Sequence, residues 1–461
     1  MNAIDINPIS EVNFLASLRK FMLDIKFIRE NPEKVKKACV DKNISVDVDT
    51  FLELDKKARG FQVEIENLRA ERNKLTKNDI AATLKAGEPR PDGREKGREL
   101  KEKLKTLEES FAGADKERTD LHKKIPNIPV EDVPVGKTED ENQIIKTVGK
   151  KPVFDFSVKN HWQLGQELDL IDKERAAKIA GSRFAYIKGS LVQLQWAMMQ
   201  FAVSVLTDEK TLAKIAKSAK LNVSTKPFVP VLPPLMIKTE PYDAMDRLEP
   251  REERYKIEGE DLWLQGSAEH VLGTMHMNET MNEQVFPIRY VGYATSFRKE
   301  AGTYGKDMEG IIRMHQFDKL EMESLTVAEE SLKEHYFMVA IQEYLMQQLG
   351  LPYEVVLKCT ADIGKPNARG VDINVWLPGQ DKYRETHTAD YMTDYQARRL
   401  QTRVRRNSGE TQLVHTNDAT AFSQRPLIAI LENGQQKDGS VKIPKVLHKY
   451  TGFKVIKARK K

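Results

Sequence analysis

Cysteine is scarce in this sequence: 461 residues hold only Cys39 and Cys359. Two thiols cannot build a disulfide framework or supply a cysteine-rich zinc site. A reducing, cytoplasmic setting follows as the expectation. Long apolar runs are also missing. The best candidate, "LVQLQWAMMQFAVSVL" from Leu191 to Leu206, is broken by Gln193, Gln195, Gln200 and Ser204. It falls short of the roughly 20 apolar residues a membrane span needs. It reads as a buried helix in or beside a subunit interface, with no membrane as partner. Nor does the chain start with the basic-then-apolar layout of a signal peptide. "MLDIKFIRENPEKVKKA" from Met22 reads as a natural beginning, so residues 1–21 read as an extension. A large charge of one sign is absent too. The net charge is +5 although 31% of residues are charged, which is compatible with a nucleic-acid partner without requiring one. No repeat with a period of 20–50 residues is present.

What is there begins with a heptad. Leu54, Ala58, Phe61, Ile65, Leu68, Arg72 and Leu75 alternate steps of four and three. The period resumes with Leu100, Leu104, Leu107, Phe111, Ala114, Arg118, Leu121 and Ile125. Between them "KAGEPRPDGREKG" carries the residues that end helices and make turns. The pattern predicts an antiparallel two-helix coiled-coil arm over about 50–125 within a domain spanning 22–130. Asn31 and Pro32 fit an N-cap and first helical position at its start. A weak basic bias in Lys74–Arg98 suits phosphates, and a solvated face explains it equally well.

After the arm, the proline-bearing "IPNIPVEDVPVG" opens a linker over 131–160, and a mixed pattern fills 161–461. Helical stretches fit 166–180, 187–218, 323–350, 390–404 and 425–436. Strand-like runs fit "FVPVLPPLMI", 262–265, 286–297, 311–322, 353–360, 371–377 and 411–415. Strands in succession with helices beside them predict an α+β fold, an antiparallel sheet flanked by helices.

One hairpin stands out: "FRKEAGTYGKDMEGIIRMHQFDKLEM", Phe297–Met322. Alternate residues of a strand share a face. Ile311, Arg313, His315, Phe317, Lys319 and Glu321 then share one side of the return run, and Arg298 and Glu300 share one side of the outgoing run. Phe317 and Glu321 lie about 13 Å apart at ~3.3 Å per residue. That span suits a ligand with a flat ring at one end and a cation at the other. Taken alone, a solvated hairpin explains these charges as well.

Further blocks decide between these. "HWQLGQELDLIDKERAAKIAGSRFAYIKG" (161–189), the hairpin itself, "LGLPYEVVLKCTADIG", "DYQARRLQTR", "VLPPLM" and "RPLIAILENGQQKDGSVKIPKVL" occur in an order and spacing that resemble a bacterial-type seryl-tRNA synthetase, a class II aminoacyl-tRNA synthetase. The resemblance runs from about Met22 to Ile456. It implies a class II catalytic sheet, a tRNA-binding coiled-coil arm, and homodimerisation through the "VLPPLM" motif. It implies a ligase that makes seryl-adenylate from L-serine and ATP and passes serine to the 3′ end of tRNA(Ser). It leaves tRNA(Sec) open. It implies Mg²⁺ with ATP and no zinc.

By position, the resemblance gives Arg298 the α-phosphate, Glu300 the adenine amino group, Phe317 the adenine face and Arg425 the γ-phosphate. Arg298 and Arg425 are the catalytic pair. Lys299, Glu385, Thr386, His387 and Thr388 complete the ATP set, and Glu385 and Thr388 match the Mg²⁺ positions. "LQGSAEH" places Ser267, Ala268 and Glu269 at the serine site with Arg298, Glu321 and Thr420. These residue types suit the task. Guanidinium forks match phosphate, and carboxylates match an ammonium group. Hard oxygen donors match Mg²⁺.

The chain departs from the family at His387, usually Ser, at Ala389, Asp390 and Tyr391, and at Gly434. The stretch His415–Arg425 is one residue short. Counting forward from His415 puts Thr420 at the serine hydroxyl, and counting back from Arg425 puts Ala419 there. Thr420 is the chemical choice. His387 reads as a packing residue. Three alternatives stay open: a synthetase-like enzyme for another small amino acid, one charging a carrier protein, and a non-catalytic coiled-coil scaffold. The basic end "KVIKARKK" reads as a solvated tail.

Overall fold

The computed structural model describes residues 23–86, 91–301 and 310–459. The extension 1–21 and the turn of the arm therefore lie outside the described residues. The chain forms two compact units that part between Pro126 and Asn127.

In the first unit, Pro32 does open a helix, Pro32–Asp41. The Asn31 side chain donates back to the Phe27 carbonyl (3.2 Å) instead of capping forward. Two long helices follow, α1 (Val48–Ala86) and α2 (Pro91–His122). Cross-helix ion pairs Asp55–Arg118, Arg69–Glu108 and Glu71–Lys96 run in opposite chain directions, which makes the pair antiparallel. Leu54, Ala58, Ile65, Leu100 and Leu104 are buried along the seam, as heptad spacing requires. Arg118 occupies a heptad core position because Asp55 meets it there at 3.0 Å. Arg29 (2.7 Å) and Arg59 (3.2 Å) hold the same carboxylate. Arg72, at another heptad position, is exposed instead.

The second unit is built on an eight-stranded sheet. Its strands are β1 (Gln143–Val148), β2 (Val229–Val231), β3 (Ile288–Phe297), β4 (Gln316–Thr326), β5 (Tyr353–Leu357), β6 (Arg369–Leu377), β7 (Lys382–Thr393) and β8 (His415–Ser423). Their spatial order is β1-β5-β6-β7-β8-β4-β3-β2, with only β2 parallel to its neighbour. Three helices flank it: α3 (Ser190–Leu206), α4 (Ala328–Leu349) and α5 (Arg425–Gly434). One face of the sheet is apolar. Leu320, Met322, Val371, Ile373, Ala389 and Ala419 pack there in one core with α3, α4 and α5. This core, within the chain, accounts for the apolar Leu191–Leu206 run. Among the described residues, no helix is long and apolar enough to cross a membrane.

Several local expectations need correction. The stretch 390–404 is not one helix, because β7 runs through Thr393 and only Tyr395–Leu400 is helical. Tyr391 and Thr393 are strand-favouring residues, and ladder bonding to β6 and β8 carries the strand through them. The strand expected over 411–415 does not end at His415, because 415–423 is strand β8. Residues 323–326 extend β4, so α4 starts only at Ala328. The linker at 131–160 contains β1, which pairs with β5 at the sheet edge.

A buried ion pair ties strand to helix. Arg289 on β3 meets Glu334 on α4 through two 2.6 Å contacts, Nε–Oε1 and Nη2–Oε2. The Lys226 and Ser224 carbonyls accept its remaining donors, and the Ser324 hydroxyl donates to Glu334. Breaking such a pair strands the surviving charge. Glu334→Ala is expected to cost about 3–5 kcal/mol, measured by urea denaturation. The isosteric Glu334→Gln should cost less, since it keeps part of the hydrogen bonding.

Candidate active site

The other face of the sheet is polar, and it is also buried. Antiparallel pairing sets Glu321 opposite Thr420, Glu323 opposite Asp418 and Asp418 opposite Asp390. Alternation brings Lys319, Glu321, Glu323, Asp418, Thr420, Asp390 and Thr388 to this one face. A cleft of ≈ 120 Å³ opens at its end, lined by Arg298, Glu300, Phe317, Lys319, Glu385, Thr388, Thr420 and Arg425 among others.

The hairpin is shaped differently from its simple strand reading. β3 ends at Phe297, and the Arg298 N–H still donates to the His315 carbonyl (2.9 Å). Glu300 takes a left-handed conformation (φ 49°) and pairs with Arg313 at 3.1 Å. Residues 311–315 are not strand, and Ile311 and Met314 turn inward. The cause is Gly310 (φ 71°), where a Cβ would lie 1.9 Å from His161 Nε2. The Ile311 N–H donates to that same nitrogen (3.3 Å). His161 Nδ1 in turn bonds Glu432 of α5 (2.9 Å). The "HWQLG" block therefore anchors the hairpin to the helix behind the cleft.

At one end of the cleft, Arg298 lies over the Phe317 ring (5.4 Å), and its Nε donates to the Gly266 carbonyl (3.0 Å). Lys299 points elsewhere, over Tyr255 (5.5 Å). Arg425, at the start of α5, pairs with Glu385 (3.0 Å) and donates to its backbone carbonyl (2.8 Å). A bulge in β7 opposite Ile373/Asn374 adds one residue between Glu385 and His387. That extra residue lets Glu385 and Thr388 share the cleft although three positions apart. His387 falls on the core side. It is buried against Phe422 (5.7 Å), with Nδ1 on the Thr386 hydroxyl and Nε2 on the Ala421 carbonyl. It does not reach the cleft, and burial lowers its pKa to about 3. The Thr386 hydroxyl donates to the Ile373 carbonyl (3.1 Å), so this residue borders the cleft without aiming its hydroxyl there.

At the other end, Glu321 Oε1 accepts from Ser267 (3.3 Å) and Thr420 (3.2 Å) and pairs with Lys319. Glu321 Oε2 is buried without a hydrogen-bond partner among the described residues. The one Ser267 hydroxyl proton is shared between Glu321 Oε1 and Glu269 Oε2, also at 3.3 Å. Ala268 packs beneath with Leu272 and Ala294 and brings no side-chain chemistry. Between Thr420 and Ala419 the geometry is unambiguous: Thr420 bonds Glu321, while Ala419 lies in the core. A second bulge, at Ala421, lies between Thr420 and Arg425.

Charge is unevenly distributed here. Burial alone would raise the Glu269 carboxyl, but Arg247 holds it well below the carboxylate range. Burial raises Glu321, and Lys319 offsets only part of that. Burial and the neighbouring Glu269 push Glu323 and Asp418 well above their usual values. Partial enclosure by its neighbours opposes ionisation of the still exposed Glu385, yet Arg425 and Lys358 outweigh it and bring the group to about 2. An ionised carboxylate beside a hydroxyl at the cleft wall fits a hard cation that keeps most of its own waters.

Sequence reasoning missed Arg247 and passed over Lys319, Glu323 and Asp418. Lys319 had a signal, since it shares the alternation of Phe317 and Glu321. Arg247 had none, because a loop brings it in from more than 50 residues before β4.

Comparison with known proteins agrees with this architecture. Residues 22–129 match the seryl-tRNA synthetase N-terminal domain, and residues 253–434 match the tRNA synthetase class II core domain (G, H, P, S and T). A serine–tRNA ligase of Thermodesulfovibrio yellowstonii is 39% identical over 442 residues, covering 95% of this chain and 100% of that one. One from Symbiobacterium thermophilum is 37% identical over 441 residues, covering 93% and 98%. Among solved structures, the Pyrococcus horikoshii seryl-tRNA synthetase complexed with ATP superposes with a TM-score of 0.85 at 39% identity, covering 95% of this chain and 100% of that one.

The Thr420–Glu321 bond generates a prediction. Thr420→Val keeps the shape and removes the donor. The KM for the amino-acid substrate should rise about 10–100-fold, the worth of a hydrogen bond to a charged group, with the ATP KM nearly unchanged. Ala419→Ser should leave both within about twofold, because its side chain faces the core. Amino-acid-dependent pyrophosphate exchange measures all four constants.

Proposed function

The chain belongs to the seryl-tRNA synthetase family, and on that premise we propose how it activates L-serine with ATP and charges tRNA(Ser). It is a serine–tRNA ligase with a class II catalytic domain. The observation that supports the site assignment is that Arg298, Thr420, Lys319 and Arg425 meet in one cleft with Glu385, with Glu321 bonded to Thr420 at its end.

In the first step a serine carboxylate oxygen attacks the ATP α-phosphorus, and pyrophosphate leaves with the bridging electron pair. No side chain need form a covalent bond. Glu269 and Glu321 receive the ammonium and hydroxyl groups of serine, with Ser267 and Thr420 fixing Glu321. Arg298 neutralises the charge that develops at the α-phosphate, and Arg425 holds the γ-phosphate. Phe317 and Glu300 take the adenine. Glu385 and Thr388 are the residues that would hold Mg²⁺, which when bound supplies positive charge to the triphosphate. In the second step the 3′-terminal adenosine hydroxyl of tRNA attacks the seryl carbonyl, and AMP leaves.

The coiled-coil arm is the proposed tRNA grip. Helical RNA hides its bases in a deep, narrow groove, so backbone and shape contacts suit a long charged hairpin. A twofold homodimer is proposed through "VLPPLM". The support is the exposed apolar edge there, with Leu232 84% exposed and Val229 53% exposed. The cytoplasm is the proposed site of action.

ATP–pyrophosphate exchange tried with each of the twenty amino acids tests the assignment. Serine alone should support it, and exchange with another amino acid would transfer the assignment to that substrate. Arg298→Ala should slow serine-dependent exchange by about 10²–10³-fold, typical of losing one preorganised donor.

Replacing Leu54–Ile125 with a short linker separates arm from chemistry. Exchange should persist while serine transfer to tRNA(Ser) falls sharply. Equal charging with and without the arm contradicts its role.

A further inference from the structure

Glu269 does not face the amino-acid pocket alone. Arg247, from the loop between the helix Thr239–Ala244 and Pro250, points into the polar face of the sheet. Its Nε lies 3.2 Å from Glu269 Oε1. Its Nη2 lies 3.4 Å from Asp418 on β8 and 3.9 Å from Asp390 on β7. The loop holds it firmly. Met245 and Leu248 on either side are fully buried, and Arg254 Nε donates to the Arg247 carbonyl (3.0 Å). Asp390 is one of the positions at which the sequence departs from the family pattern.

We propose that Arg247 is a positioning residue for substrate ammonium recognition, pairing with Glu269 to hold its carboxylate toward the pocket while Asp390 and Asp418 fix the guanidinium from behind. This rests on the reading of Glu269 as a serine ligand. The physical need is plain. Glu269, Glu323, Asp390 and Asp418 are all buried, and a buried carboxylate without a cation takes up a proton. A protonated Glu269 would attract no ammonium. Lys319 also favours the ionised form, but it is engaged by Glu321 and Ser267 and its effect on Glu269 is smaller than that of Arg247. His270, 3.4 Å from the same Glu269 oxygen, is itself kept neutral by burial, its pKa lowered to about 4. Arg247 touches neither the cleft lining nor the phosphate end, so its effect should be confined to the amino acid.

A double-mutant cycle on the full-length enzyme tests this, read by serine-dependent exchange. Glu269→Gln should raise the serine KM by about thirtyfold or more, and Arg247→Gln by about tenfold, with the ATP KM within about twofold in each. In the Arg247→Gln background, Glu269→Gln should add less than about threefold, because the two residues act as one unit. Arg247→Lys should recover most of the serine affinity. Independent, multiplying effects would overturn the proposal, as would equal losses for serine and ATP. If Arg247→Gln fails to fold, Arg247→Met, which also removes the charge, carries the same cycle. Glu269→Gln must then cost less in that background than in the parent, and an equal cost overturns the proposal. If the parent exchanges with serine but Glu269→Gln leaves its KM unchanged, the reading of Glu269 fails, and this inference falls with it. A parent inert toward serine would instead remove the proposed function itself.

Discussion

The register among β3, β4, β8 and β7 is the constraint on which the site depends. Each strand gives alternate residues to the apolar core and to the polar face. Pairing Glu321 with Thr420, and Asp418 with both Glu323 and Asp390, is a consequence of that ladder. A slip of one residue would send Glu321 into the core and Met322 into the cleft. The apolar side forbids this, because Leu320, Met322, Ala389 and Ala419 pack there with α3 and α4. Hydrophobic burial thus sets the register, and the register aligns the polar groups.

Two local irregularities adjust what the ladder alone would give. The bulge in β7 lets Glu385 join Thr388 at the cleft. The bulge at Ala421 lies between the Thr420–Glu321 pair and the start of α5. Both sit beside the site, where an extra residue re-aims a side chain without disturbing the rest of the sheet. Gly310 does similar service for the hairpin, since only a residue without Cβ fits against His161.

These features mark what could be read from the sequence. The arm was legible because a coiled coil declares itself in a local period, and Leu54, Ala58, Ile65, Leu100 and Leu104 do line the seam. The candidate site residues on β4, Phe317 and Glu321, were legible through strand alternation and family resemblance together. β7 and β8 were misread because their sequences are rich in Thr, Asp, Asn and Ala. Asp, Asn and Ala are depleted in strands and obscure the strand preference of Thr, and cross-strand pairing overrides them. Packing was the reading of His387 from the sequence, and the bulge in β7 is what turns it to the core side. Arg247 was invisible because its partners come from β7, β8 and the "LQGSAEH" loop, and no local pattern announces such a meeting.

Two of the buried ionic groupings of the catalytic unit differ in one respect. Arg289 and Glu334 satisfy each other fully, with two contacts between them and neighbouring carbonyls and a hydroxyl using the remaining capacity. Such a pair holds strand to helix and has nothing left for a ligand. On the polar face, Glu321 keeps one oxygen without a hydrogen bond, and Glu323 keeps both, among the described residues. Unmet polar capacity in a buried place opposes folding. At Glu321 it borders the cleft end through Thr420 and Lys319, which suits the proposed cationic, hydroxylated substrate. Glu323 lies one alternation deeper, and burial with Glu269 nearby favours its neutral form. A neutral acid there lessens repulsion on its neighbours, so negative charge concentrates at Glu269, which Arg247 holds well below the carboxylate range and which is the proposed partner of the substrate's ammonium.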